Sequence, residues 1–456
     1  MDKQVKKIIP CIDIKDGKAV KGINFAGIKE VGNVVSLAQK YANLGADEIV
    51  LLDISATTEK RKINREWIKE AVEKVNVPFI VGGGISSVKD AQELFDMGVK
   101  RISVGSAAIR DPNLINELVK EFGSEAIVAA IDAKNIDKEW MVFEAAGTVN
   151  SGKELMAWAE EVQNRGVGMV LFTSMNHDGE QKGYPLNVLA NLKSILSIPL
   201  IASGGAGSVQ DFYYALVHGK VDAVLAASVF HFNLIDIDEL KFTLWRAGVD
   251  VDLTTIFRNL NYDDKGLIPA IIQDVESGLN LMLGYMNAKS LQLTLDTKKV
   301  TFWSRSRNKL WVKGEESGHF LNLYDIRVDC DRDALLVKAR PVGPTCHTGS
   351  ITCWREKLNN HHFLQYLEDV LNERRLESPD QSYTAYLYTK GSAKIAQKVG
   401  EEAVELVIEA MRDRDDLFLN EAADLLYHYI VLLLDRGYSL TDVVQVLQKR
   451  HKGVDD

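Results

Sequence analysis

Three groups of residues in this 456-residue chain have the types and spacing to do chemistry. Asp13 in Cys11-Ile-Asp-Ile-Lys15 and Asp132 in Ala130-Ile-Asp-Ala-Lys134 each follow an apolar pair of the kind that ends a strand. At matching places in one domain their carboxylates would face each other, and paired carboxylates divide acid and base duties when their surroundings separate their pKa values. A single aspartate at a strand end is more often a helix cap. Two at matching positions point to catalysis.

The second group is Asp329-Cys-Asp-Arg-Asp333 with Pro344-Thr-Cys-His-Thr-Gly-Ser-Ile-Thr-Cys353. On an extended strand alternate residues share a face, so Asp329, Asp331 and Asp333 are expected on one side and Cys330 on the other. Three carboxylates make a hard oxygen site suited to Mg²⁺, whereas the thiolates of Cys330, Cys346 and Cys353 suit Zn²⁺. Three thiolates leave a fourth zinc position for water, whose pKa then falls to roughly 7. His347 is placed to be a fourth ligand or a general base. In the third group Glu402 and Glu405, then Glu421 and Asp424, are i, i+3 neighbours on helices. One such pair is usually a solvated face. Two pairs on antiparallel helices, flanked by Val404, Leu406, Val407, Ala422 and Leu425, lie nearer a core edge, where clustered carboxylates need cations.

The elements that must position the aspartates repeat. Val77-Pro-Phe-Ile-Val-Gly-Gly-Gly-Ile-Ser86 returns as Ile198-Pro-Leu-Ile-Ala-Ser-Gly-Gly-Ala-Gly-Ser208, with Pro78 and Pro199 121 residues apart, and Gly45 with Gly166, Gly98 with Gly219 and Ser106 with Ala227 keep the offset. Each half alternates short apolar runs with helical stretches, which predicts an α/β fold: a (β/α)₈ TIM barrel made of two half-barrels, with its chemistry at the strands' C-terminal ends. Gly83, Gly84 and Gly105-Ser106 in one half, and Ser203-Gly204-Gly205 and Ala227-Ser228 in the other, are expected to cradle anions with backbone N–H groups. Two such cradles on opposite sides of a mouth suit a substrate with a phosphate at each end.

Length predicts two to three domains. The barrel is expected over residues 1–252, a polar irregular linker over 253–265, a small β-rich α+β metal-binding domain over 266–357, and an all-α domain over 360–456 after a polar joint at Asn359–His362. In the last, Phe363, Leu367, Val370 and Leu371 form one core stripe and Leu425, Leu426, Tyr429, Ile430 and Leu433 another. A formal charge of −10 and a pI near 5.5 exclude a general nucleic-acid binder. No stretch is expected to cross a membrane and no signal peptide is evident, so the expectation is a cytoplasmic protein in which crowded cysteines bind metal. Cys11, alone on a buried strand, is expected to be packing.

Cys11-Ile-Asp-Ile-Lys-Asp-Gly17, Lys21-Gly-Ile-Asn-Phe25, Leu52-Asp-Ile54, Ala130–Lys134 and Ala226–Phe232 resemble the cyclase subunit of imidazole glycerol phosphate synthase across the whole barrel. The resemblance implies that ammonia and a phosphoribulosyl carboxamide give imidazole glycerol phosphate and an aminoimidazole carboxamide ribotide. It assigns acid/base steps to Asp13 and Asp132, a mobile-loop lysine to Lys21, and cleft positions to Asp53, Thr173, Asp178, Gly179, Ser203 and Gly204. It also implies a glutaminase subunit that delivers ammonia at the barrel's bottom. Three positions depart from the family: Gly105 stands for asparagine, Met169 for a glutamate in a charged ring with Lys7, Glu48 and Arg101, and Lys100 for an acidic residue on the docking face. The alternatives are free ammonia as nitrogen source, or a non-catalytic or isomerase-like barrel.

Residues 260–354 resemble phosphoribosyl-AMP cyclohydrolase, which implies hydrolytic opening of the adenine ring, zinc on Cys330, Cys346 and Cys353, magnesium on Asp329, Asp331 and Asp333, and a homodimer that shares ligands between chains. Glu402-x-x-Glu405 with Glu421-x-x-Asp424, led by Lys394 to Gly400, resembles phosphoribosyl-ATP pyrophosphatase. That resemblance implies Mg²⁺ on the four acids, with Lys394 and Lys398 neutralising a triphosphate. Phosphoribosyl compounds are therefore the expected substrates throughout.

Overall fold

The computed structural model describes residues 5–23, 26–56, 59, 61–63, 65–355, 363–412 and 414–451. Asn24 and Phe25 of the first-loop run, the joint Asn359–His362, and residues 452–456 lie outside the described residues. The chain divides into two compact units, Met1–Leu260 and Asn261–Asp456.

In the first unit eight parallel strands close on themselves: β1 Lys7–Lys15, β2 Ile49–Asp53, β3 Phe79–Gly82, β4 Arg101–Val104, β5 Ile127–Ile136, β6 Met169–Ser174, β7 Leu200–Ser203 and β8 Ala223–Ala226. Closure runs through Lys7 opposite Ala223, and β5 continues into β6 with Asp132 opposite Thr173. The half-barrel repeat is visible beyond the strands, because an antiparallel hairpin follows the first strand of each half: Lys18–Ile23 with Ala26–Gly32 after β1, and Glu139–Glu144 with Val149–Glu154 after β5.

Side chains on a strand alternate between faces, so every second residue fills the barrel. On β1 the packed interior takes Ile9 and Cys11, while Ile8, Ile12 and Ile14 are buried on the opposite face. Val128 on β5, with Met169 and Leu171 on β6, joins the same interior cluster. Continued upward, each column ends in a polar group: Asp13 two residues past Cys11, Asp132 four past Val128 and Thr173 two past Leu171. The alternation that makes the core therefore also delivers both aspartates to the mouth.

The stretch expected to be an irregular linker departs from that expectation at its start. Leu253–Phe257 is a short 3₁₀ helix with Leu253, Thr255 and Ile256 buried. Its hold on the barrel is polar as well as apolar. Lys241, on the Ile237–Arg246 helix, is fully buried, and its Nζ lies 2.7 Å from Asp47 Oδ1, 2.7 Å from Thr255 Oγ1 and 3.0 Å from the Asp252 carbonyl. A buried ammonium needs all of these acceptors. The chain past residue 252 supplies one of them.

In the second unit a four-stranded sheet orders Asn280–Met286, Ile268–Asp274, Leu335–Pro341 and Leu321–Val328, beside a two-stranded ribbon of Thr301–Ser304 and Lys309–Val312. Helices follow: Phe363–Glu373, Tyr383–Lys390, Ser392–Ala410, Asp415–Asp435 and Leu440–His451. Leu371, Leu387, Ile395, Ile430 and Val431 are their common core. Phe363, expected there, is exposed instead. Asp415–Asp435 is by length and composition apolar enough to cross a membrane, against the expectation of no such stretch. It packs along Ser392–Ala410 and carries Glu421, Asp424 and His428 mid-helix.

Candidate functional site

A cavity of about 510 Å³ opens at the C-terminal ends of the barrel strands. Its lining includes Asp13, Lys21, Asp53, Gly83, Gly105, Ser106, Asp132, Thr173, Asp178, Gly179, Ser203, Gly204, Gly205, Ala227 and Ser228, so nearly every residue expected of the barrel site is gathered there. Gly84 is the exception: it is not part of the lining, and a Cβ on it would lie 2.9 Å from Ala56 Cβ. The glycines beside it answer two needs at once. Gly83 has φ +101° and a Cβ there would fall 2.2 Å from the Asp53 carbonyl oxygen; Gly204 has φ +89° and a Cβ would fall 2.6 Å from the Ser174 carbonyl oxygen. Both turn sharply against a neighbouring strand and present backbone to the cavity.

The two catalytic candidates have different surroundings. Lys21 Nζ lies 3.3 Å from Asp13 Oδ2 and 3.6 Å from Asp178 Oδ1. Burial works against the Lys21 charge, but the two carboxylates outweigh it and hold the ammonium above its ordinary range. Among the described residues Asp132 has no such cation. Burial pushes its carboxyl up to about 6, with a Thr173 hydrogen bond opposing and the charges of Asp178 and Asp13 adding. One carboxylate is thus held beside an ammonium while the other keeps its proton to a higher pH than an ordinary aspartate, the separation that acid/base catalysis requires.

That division predicts a stability effect with a definite sign. Because the folded state binds the Asp132 proton more tightly than an unfolded chain does, its contribution is fully present below about pH 4 and lost as pH rises through about 6. Asp132→Asn, neutral at every pH, is therefore expected to stabilise the barrel at pH 8 by on the order of 2 kcal/mol. The gain shrinks toward pH 4.5. Calorimetric unfolding of both proteins at the two pH values measures it, and an equal gain at both would refute the assignment.

Sequence reasoning missed several neighbours. Asp53 is clamped by Arg61, whose Nη1 and Nη2 lie 2.7 and 2.8 Å from its two carboxylate oxygens. Cys11 is buried as expected of packing, yet it lines the cavity with Sγ 3.7 Å from Asp13 Oδ1. His231 Nδ1 is 2.6 Å from the Tyr41 hydroxyl, and burial pulls its imidazole down to about 4. The turn Ala146-Gly147-Thr148 of the second hairpin completes the rim. At the barrel's other end Glu48 receives both Lys7, at 2.5 Å, and Arg101, at 2.7 Å, while Met169 is buried in the interior cluster and Lys100 is exposed. One carboxylate there serves two cations.

In the second unit Asp329, Asp331 and Asp333 do converge, each offering an oxygen within 4.8 Å of the others. They do not converge on a strand. The strand ends at Val328, Arg332 takes a left-handed φ of +64°, and the Asp333 and Ala334 N–H groups donate to Asp329 Oδ1, so a curled loop gathers the carboxylates. Cys346 and Cys353 are neighbours: a Thr348 hydrogen bond chiefly lowers the Cys346 thiol, whereas burial and Cys346 raise that of Cys353. Among the described residues Cys330 does not join them in a cluster of ligand atoms. His347 Nδ1 lies 3.9 Å from Cys346 Sγ. Lys313, which sequence reasoning passed over, is buried near both thiols; burial lowers its ammonium and the thiols pull it back up.

On the helices Glu402, Glu421 and Asp424 gather within 4.8 Å, with Glu402 buried. Glu405 stands against Glu421, whose carboxyl is raised by burial and then by Glu405, Glu402 and Asp424. Lys398 Nζ is 2.9 Å from Glu402 Oε1, whereas Lys394 Nζ donates to Gln397. His428 was not foreseen. Its Nδ1 lies 2.9 Å from the Asp424 carbonyl and 3.7 Å from Glu402 Oε1, and its Nε2 is 3.2 Å from the Tyr383 hydroxyl.

Residues 7–236 match the family model described as "Histidine biosynthesis protein", residues 282–355 that of phosphoribosyl-AMP cyclohydrolase, and residues 364–451 that of phosphoribosyl-ATP pyrophosphohydrolase. The barrel is 50% identical over 248 residues to imidazole glycerol phosphate synthase subunit HisF of Flavobacterium johnsoniae, covering 54% of this chain and 99% of that protein. Against the HisF subunits of Bacteroides thetaiotaomicron and Elusimicrobium minutum identity is 49% over 246 residues and 48% over 236, covering 98% and 94% of those proteins and 54% and 52% of this chain. With a family model matched over half its length, and relatives matched from end to end by its barrel, the chain belongs to the histidine biosynthesis protein family, with cyclohydrolase and pyrophosphohydrolase regions following the barrel.

Proposed function

We propose that the chain is a trifunctional enzyme of histidine biosynthesis: it releases pyrophosphate from phosphoribosyl-ATP, opens the adenine ring of phosphoribosyl-AMP with water, and cyclises a phosphoribulosyl carboxamide with ammonia to imidazole glycerol phosphate and an aminoimidazole carboxamide ribotide. The observation that carries this reading is the placement of Asp13 and Asp132 in one cavity lined by Gly83, Gly105 and Ser106 in one half and by Ser203, Gly204 and Gly205 in the other. Phosphates at the two ends of the substrate sit on these cradles. Asp13 takes protons as ammonia adds, Asp132 returns them, and Lys21 positions the Asp13 carboxylate through its 3.3 Å contact while facing the substrate in the cavity.

For the hydrolytic steps, the acid cluster Glu402, Glu421 and Asp424, with Glu405 at its edge, has the hard oxygen donors that fit Mg²⁺, and so has the aspartate trio at 329–333. The thiols of Cys346 and Cys353 fit zinc, with Cys330 completing the set from a second copy of the chain. Bound cations would neutralise phosphate charge and lower the pKa of water. The chain's own part is to place Lys398 beside the triphosphate, to fix Glu402 through Lys398 and His428, and to hold His347 beside the thiols as a proton acceptor.

Surface chemistry supports a homodimer through the second unit. Val404, Val407 and Met411 are 60%, 65% and 85% exposed on one helical stripe, with Leu419 at 64% on the next helix. Exposed apolar side chains at i, i+3 and i+7 are an unpaired interface. Val407→Glu is expected to shift the chain from dimer to monomer in sedimentation velocity; an unchanged sedimentation coefficient would count against this face. As partner of the barrel we propose a glutaminase, docking at the end where Glu48 binds Lys7 and Arg101, in a cytoplasmic enzyme. Assaying the purified chain with each of the three substrates, ammonium salt serving as nitrogen source, tests the whole reading. Absence of any one product removes that activity from it.

A further inference from the structure

The middle region holds a second concavity, about 640 Å³, that the proposed ring-opening chemistry does not use. Strand Asn280–Met286 and the ribbon Thr301–Ser304 with Lys309–Val312 form it. The Arg305 guanidinium lies 3.7 Å from the centroid of the Tyr285 ring, and that of Arg307 lies 5.4 Å from Trp311. Ser304 Oγ accepts from the Arg307 backbone N–H at 3.3 Å and from its Nε at 3.4 Å. A Cβ on Gly284 would meet the Phe302 ring at 2.3 Å, so that part of the floor is necessarily bare backbone over an aromatic ring.

Charge is unbalanced in this groove. Arg307 reaches Glu316 at 3.8 Å, but that glutamate is 85% exposed and held by nothing buried; Arg305 makes no ion pair among the described residues. Two guanidinium groups held over aromatic rings are partly pre-oriented for contact with phosphate, and the groove's aromatic rings offer apolar surface to a planar base. The strand that forms the groove also runs past one of the thiol-bearing residues. The Cys353 N–H donates to the Leu281 carbonyl at 2.8 Å, and Tyr285 lies four residues further along the same strand, roughly 13 Å at 3.3 Å per residue. That span suits a nucleoside 5′-phosphate laid along the strand with its base toward the thiols.

We infer that this groove is the phosphate-recognition subsite of the ring-opening centre, with Arg305 and Arg307 clasping a 5′-phosphate of the adenine nucleotide and Tyr285 and Trp311 holding the guanidinium planes in place. It rests on the reading of residues 282–355 as a cyclohydrolase. Both arginines are exposed, so replacing them leaves the core intact.

The test uses the full chain. Calorimetric titration with AMP and with adenosine is expected to show AMP affinity reduced at least tenfold in Arg305→Ala/Arg307→Ala and adenosine affinity changed less than twofold. In turnover of phosphoribosyl-AMP the same variant is expected to raise KM at least tenfold with kcat within threefold, while pyrophosphate release from phosphoribosyl-ATP is unchanged. Arg305→Lys, which keeps the charge and loses the planar guanidinium over Tyr285, should fall between. AMP affinity and KM both within twofold of the parent overturn the inference. A parent chain that makes no ring-opened product overturns the cyclohydrolase reading instead, and the AMP titration still reports on the groove.

Discussion

Asp13→Asn is expected to reduce ammonia-dependent formation of imidazole glycerol phosphate by ~10³-fold or more, at the upper end of what one positioned acid/base group contributes. The structure says why the loss should be chemical. Lys21 retains its contact with Asp178 when Asp13 is neutral, Cys11 keeps its packing in the barrel interior, and asparagine fills the same volume. The cavity should therefore stay formed and still bind substrate. The measurement is single-turnover cyclisation in saturating ammonium salt beside a substrate-binding titration. Loss of rate with binding intact supports Asp13 as the proton-handling group; residual turnover above a tenth of the parent's, or loss of binding in proportion to rate, assigns it a structural part. Pyrophosphate release and ring opening belong to other residues and should be untouched.

The second large effect is expected at Glu402. It is the buried member of the acid cluster, and Lys398 on one side with His428 on the other fixes its carboxylate. Glu402→Gln keeps the shape and removes a charge from a site where Glu421 is already raised by burial and by the neighbouring carboxylates. Pyrophosphate release from phosphoribosyl-ATP should fall by ~10²-fold or more at millimolar Mg²⁺, with part of the loss recovered at higher Mg²⁺ because the defect is in holding the cation. A chelator should stop both hydrolytic steps of the parent enzyme and leave cyclisation running. Full pyrophosphate release from Glu402→Gln, with unchanged Mg²⁺ dependence, would sink the proposed role of the cluster.

Much of the barrel was legible because its repeat and its chemistry share one rule. The alternation that buries Ile9 and Cys11 must raise Asp13 to the rim, and Asp132, 119 residues on at the matching strand end of the second half, is raised by the same rule. The pairing of Glu402 with Glu421 and Asp424 followed from helical spacing in the same way, and His428, one turn beyond Asp424, could have been read by that spacing too. Arg61 could not. It reaches Asp53 from an irregular loop, and no periodicity ties a loop residue to a strand end. The curl at residues 329–333 was hidden for a related reason: alternating acids look the same on a strand and in a loop, and only the backbone at Arg332 decides between them. The apolar run of Asp415–Asp435 was underestimated because Glu421 and Asp424 interrupt its composition without interrupting the helix.

Lys241 settles where this chain can be divided. Its ammonium has no water to return to, and the residue that completes its set of acceptors, Thr255, lies beyond the last barrel helix. A gene designed to express the barrel alone must therefore run through Leu260; one ended at residue 252 would strip an interior cation of an oxygen and uncover Gly45 where Ile256 now sits. The sequence just after residue 252 is thus the barrel's stopper, and the second unit begins only after it.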